Sequence, residues 1–361
     1  MTLKTQRLFY ISIIVVAVGC STKPAPPPLT SGKSEDFPKT QIVATLDTPM
    51  EPGKNVIWCA TMQAMWKQLE RDILKGPAEM EKPSDECDRL NAAPDPAGDL
   101  PEGAYYVAVG RIGEGIENRI QSDMKRLFPE RELALPRGGG APPDAFVGYT
   151  YLEASVHFTV PFLDLNSPEK FVDGEGDSTK VRFFGDIKTS PIDLEVLLVK
   201  ESEWGDATEF ALDLCKDSSP NQIVVACIEP QDTLSGTLAS LETKISEWEQ
   251  NKPSDIILDK IAVPEMNWDI VHRFVSLGQN VFLNDGAGRN AFAYVEQDIR
   301  FKLDKRGAEL SSEAIGVAKS APVAVIRCLA NCPFLVYMKK RGAEKPFFVM
   351  WVDNAELLMK R

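Results

Sequence analysis

One stretch near the C-terminal end constrains the fold more than any other. It runs Asp304-Lys-Arg-Gly-Ala-Glu-Leu-Ser-Ser-Glu-Ala-Ile-Gly-Val-Ala-Lys-Ser-Ala-Pro322, between a strand-like run and a closing apolar hairpin. At a period of two, one face carries Ala308, Leu310, Ser312, Ala314, Gly316 and Ala318, which are small and mostly apolar. The other face carries Glu309, Ser311, Glu313, Ile315, Val317 and Lys319. Such a segment suits a strand inserted between two others, small face on packed helices and charged face in water. Its length and small residues equally suit an exposed loop. A fold that accommodates both states contains a bistable element.

The rest of the chain supplies a large scaffold. It has 361 residues, 43% hydrophobic, enough for one large domain or two ordinary ones with a sizeable core. The formal net charge of −13 removes the electrostatic footprint for nucleic acid and opposes anionic lipid surfaces. Attachment to a membrane therefore needs a separate device, and the first twenty residues have the form of one. Lys4 and Arg7 precede an apolar run, Leu8 to Val18, too short to span a bilayer but suited to a secretory leader. The run ends Ala17-Val18-Gly19-Cys20, which resembles a bacterial lipobox with Ala in place of the usual Leu. That resemblance implies cleavage before Cys20, lipidation of Cys20, and a mature chain anchored in the bacterial cell envelope, at an outer membrane or cell surface. Residues 1–19 are thus read as a lipoprotein signal peptide, 20–45 as a Pro-rich tether, and 46–361 as the folded domain. Six cysteines remain, Cys59, Cys87, Cys215, Cys227, Cys328 and Cys332. In an oxidising compartment they permit three disulfides in fifteen connectivities. Cys328 and Cys332, if extended, lie about 13 Å apart, too far for a bridge.

Periodicity predicts mixed elements. Trp58, Met62, Met65, Trp66, Leu69 and Ile73 place a helix over Val56 to Leu74. A strand at Tyr105 to Val109 leads into a helix carrying Ile116, Ile120, Met124 and Leu127. Strands crowd residues 147–228, and the turn Lys216 to Asn221 is read as a hairpin. A helix with Leu238, Leu241, Ile245 and Trp248 follows, with Ser235 as a possible cap. Then come a strand at Ile256 to Val263, a short helix at Trp268 to Leu277, and a strand at Val295 to Leu303. Phe334 to Met338 and Phe347 to Val352 form the closing hairpin. This irregular order predicts an α+β fold.

Catalysis is poorly supplied. The two histidines, His157 and His272, have no Cys or acidic cluster at metal-ligand spacing and read as structural. Gly110-Arg-Ile-Gly113-Glu-Gly115 departs from the dinucleotide spacing, and Glu114 and Glu117 oppose phosphate, so it reads as a strand–turn–helix. No metal, cofactor or enzymatic activity is expected.

The stretch from Gly307 resembles the hinge and reactive-centre loop of serpins. The resemblance extends in register from about residue 55 to 352. Asn55-Val-Ile-Trp-Cys-Ala60 is similar to the start of that family's central helix, and Tyr149 to Phe162 to the strand reaching the top of its large sheet. Ala226-Cys-Ile-Glu-Pro230 and the helix ending at Trp248 are similar to its strand, turn and helix. Val281-Phe-Leu-Asn-Asp-Gly-Ala-Gly288 resembles the turn before the strand that feeds the hinge, and Asn331-Cys-Pro-Phe334 with Phe347 to Val352 its closing strands. The departures are Phe158 where serpins usually carry Trp, Thr150 for Asn, Gln297 for a frequent His, and Cys59 for Ser. Leu310 and Glu313 lie in the hinge, where inhibitory members prefer small residues. The resemblance implies three β-sheets, about eight helices and an exposed loop on a monomer. It implies a hinge at Gly307, Ala308, Glu309, Leu310, Ser311 and Ser312, and a suicide inhibitor of a serine protease. Counting from the hinge puts the scissile bond near Ala321–Pro322, whereas Lys319–Ser320 suits a trypsin-like enzyme and avoids a proline after the cut. The alternative is a non-inhibitory serpin-fold lipoprotein with a binding or envelope-structural role.

Overall fold

The computed structural model describes residues 28–361 apart from 132, 134, 136–139, 157, 159–160, 166–169, 186–193, 202–204, 217–219, 254–255, 279 and 307–324. The chain opens with β1 (Thr30–Lys33), β2 (Thr40–Val43), β3 (Asn55–Cys59), α1 (Ala60–Leu69) and α2 (Asp85–Ala92). It continues through β4 (Tyr105–Arg111), α3 (Ile116–Leu127), β5 (Phe146–Ala154), β6 (Leu163–Leu165), β7 (Lys170–Val172), β8 (Ser178–Lys180) and β9 (Phe183–Gly185). Next are β10 (Glu195–Glu201), β11 (Ala207–Asp213), β12 (Asn221–Cys227), α4 (Leu234–Asn251), β13 (Ile257–Pro264) and β14 (Met266–Arg273). It closes with β15 (Phe292–Leu303), β16 (Val325–Leu329), β17 (Phe334–Lys340) and β18 (Phe348–Val352).

These strands build three main sheets and a small hairpin, β7–β8. A five-stranded sheet runs β1-β14-β15-β5-β4, a seven-stranded sheet β10-β11-β12-β17-β18-β3-β2, and a four-stranded sheet β16-β13-β9-β6. The two larger sheets pack face to face. Phe301 of β15 stacks on Phe348 of β18 at 4.8 Å between ring centroids, and Trp268 of β14 lies 5.4 Å from Phe301. Such contacts explain why β18 and β3 are buried at every position: strands covered on both faces read as continuous apolar runs. α1 lies under the five-stranded sheet. There Gly148 of β5 lets Met65 approach, since a Cβ at that position would sit 3.1 Å from the Met65 sulfur. α3 covers the opposite face, packing Ile116, Ile120 and Met124 against Tyr149, Tyr151 and Phe128.

The predicted α+β class and the strand and helix at residues 105–127 are present, as are β15 and the closing hairpin. Four α-helices occur among the described residues, fewer than the eight expected. Two segments predicted helical are strands. Residues 55–59 pair with β18 and β2, and the helix starts only at Ala60. Of the helix predicted at Trp268 to Leu277, residues 268–273 belong to β14, which pairs with β15 on one side and β1 on the other. In both, burial on all sides of a β-branched and aromatic run favours the sheet over a weak three-to-four spacing. Thr233, not Ser235, caps α4, its side chain accepting from the Gly236 amide at 3.1 Å. His272 therefore stands on a strand, where its Nδ1 lies 2.8 Å from the Ser34 hydroxyl, and burial pushes its pKa down to about 4. Among the described residues, no group of acids, cysteines or histidines could hold a metal ion, and no helix is long and apolar enough to cross a membrane.

Part of the span read as a tether folds onto the domain. β1 adds in parallel to β14, and β2 in parallel to β3. Pro-rich composition suggested an extended chain, and the chain is extended, but as strands at sheet edges, where proline and polar residues are tolerated. Thr40 donates to Glu356 at 2.7 Å, and the Asn354 amide donates to the Lys39 and Gly53 carbonyls at 3.0 Å each. The buried Asn55 side chain links this segment to the C-terminal residues, donating to Asn354 at 2.9 Å and accepting from the Asp353 amide at 2.9 Å. A chain beginning at residue 28 is expected to melt like the full protein. One beginning at residue 46 loses Ile42, Val43 and these hydrogen bonds, about 5 kcal/mol or more. Thermal melting of the two truncations checks this.

Candidate functional site

The predicted loop leaves and re-enters the structure at two well-defined anchors. The departing anchor is the end of β15. The Arg306 amide donates to Asp304 at 2.8 Å, while the Phe158 and Phe162 amides donate to the Arg306 and Lys305 carbonyls at 3.3 and 2.8 Å. Lys305 is ion-paired with Asp164. The returning anchor is β16, paired in parallel with β13 and held by Arg327, whose guanidinium lies 2.7 Å from Asp206. The loop therefore joins the five-stranded sheet to the four-stranded one. The hinge residues Gly307, Ala308, Glu309, Leu310, Ser311 and Ser312 lie outside the described residues. So do the scissile-bond candidates Lys319, Ser320, Ala321 and Pro322, the lipidation candidate Cys20, and His157.

Directly below the departing anchor, β15 meets β5. The two run parallel, in register from Phe292↔Phe146 to Phe301↔Ala154, whereas β14–β15 and β4–β5 on either side are antiparallel. From this central parallel pair, β15 leads into residues 307–324, which lie outside the described residues. A strand following β15 through a tight turn would run antiparallel to both neighbours. It would replace one parallel ladder by two antiparallel ones, the slightly stronger pairing per residue.

Three of the four departures noted in the sequence converge on this seam. Thr150 of β5 and Gln297 of β15 are direct register partners, both fully buried. Below them, at the entry to α1, sits Thr61. Gln297 donates to the Thr61 hydroxyl at 3.0 Å and to the Cys59 carbonyl at 3.4 Å, and Thr61 donates to Thr150 at 3.2 Å. The Cys59 sulfur lies 3.1 Å from the Thr61 oxygen, and burial pushes its thiol up to about 11. This is a closed buried network in which the Gln297 Oε1 alone has no protein partner among the described residues. Phe158 lies apart from it, at the top of the seam, packed edge-on against Phe162 at 5.0 Å.

The other face of the seam carries a clamp that the sequence reading did not identify. Arg131, just beyond α3, donates to both oxygens of Asp298 on β15 at 2.7 and 2.6 Å and is paired with Asp269 on β14. Its guanidinium lies 5.4 Å from the Tyr151 ring centre on β5, and the Tyr149 hydroxyl, also on β5, donates to Asp298 at 3.3 Å. One cation thus spans three adjacent strands. The available signal was an acid beside large apolar residues in each run, Asp269 between Trp268 and Ile270 and Asp298 before Ile299, since a buried carboxylate requires a partner. Burial pushes Asp298 up to about 7, with Arg131 pulling it back and Asp269 adding to the rise.

Two predictions follow the two faces. Thr61→Val removes the hub of the inner network and strands the Gln297 amide and Thr150 hydroxyl, an expected cost of about 1–3 kcal/mol measured by denaturant unfolding. On the outer face, a carboxyl raised from its unfolded value binds more protons in the native state. Its contribution to stability is therefore present below about pH 4 and lost as pH rises through about 7. Melting temperature should fall between pH 5 and 8 in the parent chain and less steeply in Asp298→Asn.

No family model and no curated protein matches this chain. Among solved structures, human thyroxine-binding globulin in complex with thyroxine is similar at 10% identity and a TM-score of 0.51, over 84% of this chain and 93% of the other. Uncleaved ovalbumin aligns at 14% identity and a TM-score of 0.48, over 83% and 93%. Serpin48 of the insect Tenebrio molitor aligns at 11% and 0.44, over 82% and 96%. Identities this low speak to architecture and leave activity open. Sheet order, central seam and loop anchors together give this chain the serpin fold.

Proposed function

We propose that this protein is a suicide inhibitor of a trypsin-like serine protease, held at a bacterial envelope surface by a lipid on Cys20. The observation that carries the reading is the parallel β5–β15 seam directly beneath the anchor from which the loop departs. In this reading a protease serine attacks the Lys319 carbonyl, the Lys319–Ser320 bond breaks, and Lys319 remains esterified to the enzyme. The freed arm from Gly307 then turns back at Arg306 and enters between β5 and β15. Its small face, Ala308 to Ala318, meets the packed side and its charged face meets solvent. Main-chain hydrogen bonds to both strands and the burial of that face drive the step, and the attached protease is carried along. The unpartnered Gln297 Oε1 supports an incoming strand, which brings a row of amide donors to that depth of the seam.

A second reading has one specific observation in its favour. Arg131 with Asp298 and Tyr149 laces β5, β15 and β14 together on one face, while Thr61 laces β5 to β15 on the other. A seam held on both faces suits a serpin-fold protein that never opens and serves binding or envelope structure instead.

Incubation with trypsin separates the two. The inhibitor reading expects a detergent-resistant covalent complex that Lys319→Ala abolishes. It also expects that chain nicked between 307 and 322 melts about 10 °C or more above intact chain, because the arm has become a buried strand. Nicked chain that melts where intact chain does, with no complex, overturns it in favour of the second reading.

A further inference from the structure

All six cysteines outside the leader are free thiols in the structure, five buried and one, Cys332, exposed. Four of the buried ones can be described without reference to Cys332, but Cys227 cannot. Cys227 ends β12, and Cys332 lies in the short connection between β16 and β17. Because β12 and β17 pair antiparallel with Ala226 opposite Leu335, that connection folds back over the end of β12. The two side chains come within hydrogen-bonding reach of one another there, and the Cys227 thiol also lies 4.0 Å from the Leu329 carbonyl. Cys328 is a nearby third sulfur, but it is buried in β16, whereas Cys332 is exposed.

We propose that Cys227 and Cys332 form a disulfide when the protein meets a small-molecule disulfide oxidant, tying the segment that follows the loop to the seven-stranded sheet. The chemistry assigns the two sulfurs different roles. Cys332 is exposed and accepts a hydrogen bond, which holds its thiol below the usual range, so it is the sulfur that attacks. Its thiolate opens oxidised glutathione, forming a mixed disulfide and releasing one glutathione thiolate, which takes up a proton. Burial pushes the Cys227 thiol well up. It acts second, giving its proton to the departing glutathione as its sulfur displaces that thiol from Cys332. Two protein thiols are oxidised, and one glutathione disulfide is reduced to two thiols. The bond closes a loop of about a hundred residues that contains α4, β13 to β15 and the reactive segment. The returning anchor is thereby fixed, while the departing anchor at Arg306 stays free to turn.

The test uses the full chain, equilibrated with oxidised glutathione, alkylated, and mapped by peptide mass. The expected result is one cross-linked peptide pair, Cys227 with Cys332. In Cys328→Ser the same pair should form, and in Cys227→Ser the glutathione should stay on Cys332, with circular dichroism confirming that both variants fold. The oxidised protein should melt about 5–10 °C above the reduced one. Cys332 cross-linked to Cys328, retained glutathione on Cys332 in the parent chain, or full alkylation of Cys227 would each overturn the proposal.

Discussion

The molecule is organised around a parallel pair of strands at the centre of its five-stranded sheet. β5 and β15 are far apart in sequence, and a parallel pair can form only through a long crossover. That crossover carries the seven-stranded sheet's β10 to β12, α4 and the strands β13 and β14. Phe301, Phe348 and Trp268 hold β15 and β14 to the neighbouring sheet through ring contacts that do not involve β5.

The two faces of the seam use different physics. Toward α1 the contacts are neutral hydrogen bonds through one hydroxyl, that of Thr61, which accepts from Gln297 and donates to Thr150. Each is worth only about 1 kcal/mol net, but all are buried, so an unmade partner costs more than a made one contributes. Toward α3 the contact is ionic, one guanidinium against two buried carboxylates. A buried ion pair is weak evidence of stability, because desolvation opposes the attraction, but it fixes geometry. It fixes Arg131 to β14 and β15 by charge and to β5 only by the Tyr151 ring and the Tyr149–Asp298 hydrogen bond. The weaker links of the clamp thus lie across the seam.

Much of the architecture was legible from residues alone. Ile299, Phe301 and Leu303 fall on one face at period two, and all three are fully buried where β15 meets the core. Ile116, Ile120 and Met124 recur at helical spacing, and α3 buries those three positions. Thr150, Gln297 and Cys59 stood out only as departures from a family pattern, and the structure brings them together around Thr61. Where the reading failed, the reason was long-range. Val56 to Cys59 carry a spacing compatible with a helix, yet β18 and β2 flank them with open ladder edges. Residues 266–273 lie between β1 and β15 in the same way. Arg131 went unnoticed because its partners are more than a hundred residues distant, and nothing local marks a lone arginine after a helix.

Local chemistry in the sequence determined which segments could be strands and helices, that the chain is acidic, and that residues 304–322 alternate in a way compatible with loop and strand alike. Periodicity is a property of near neighbours and can be read without knowing what covers each face. Only the tertiary structure decided that β5 and β15 lie side by side in parallel, that one arginine reaches three strands, and that Cys227 touches Cys332. Those contacts join residues separated by up to 167 positions, and their identity depends on the path of the whole chain between them.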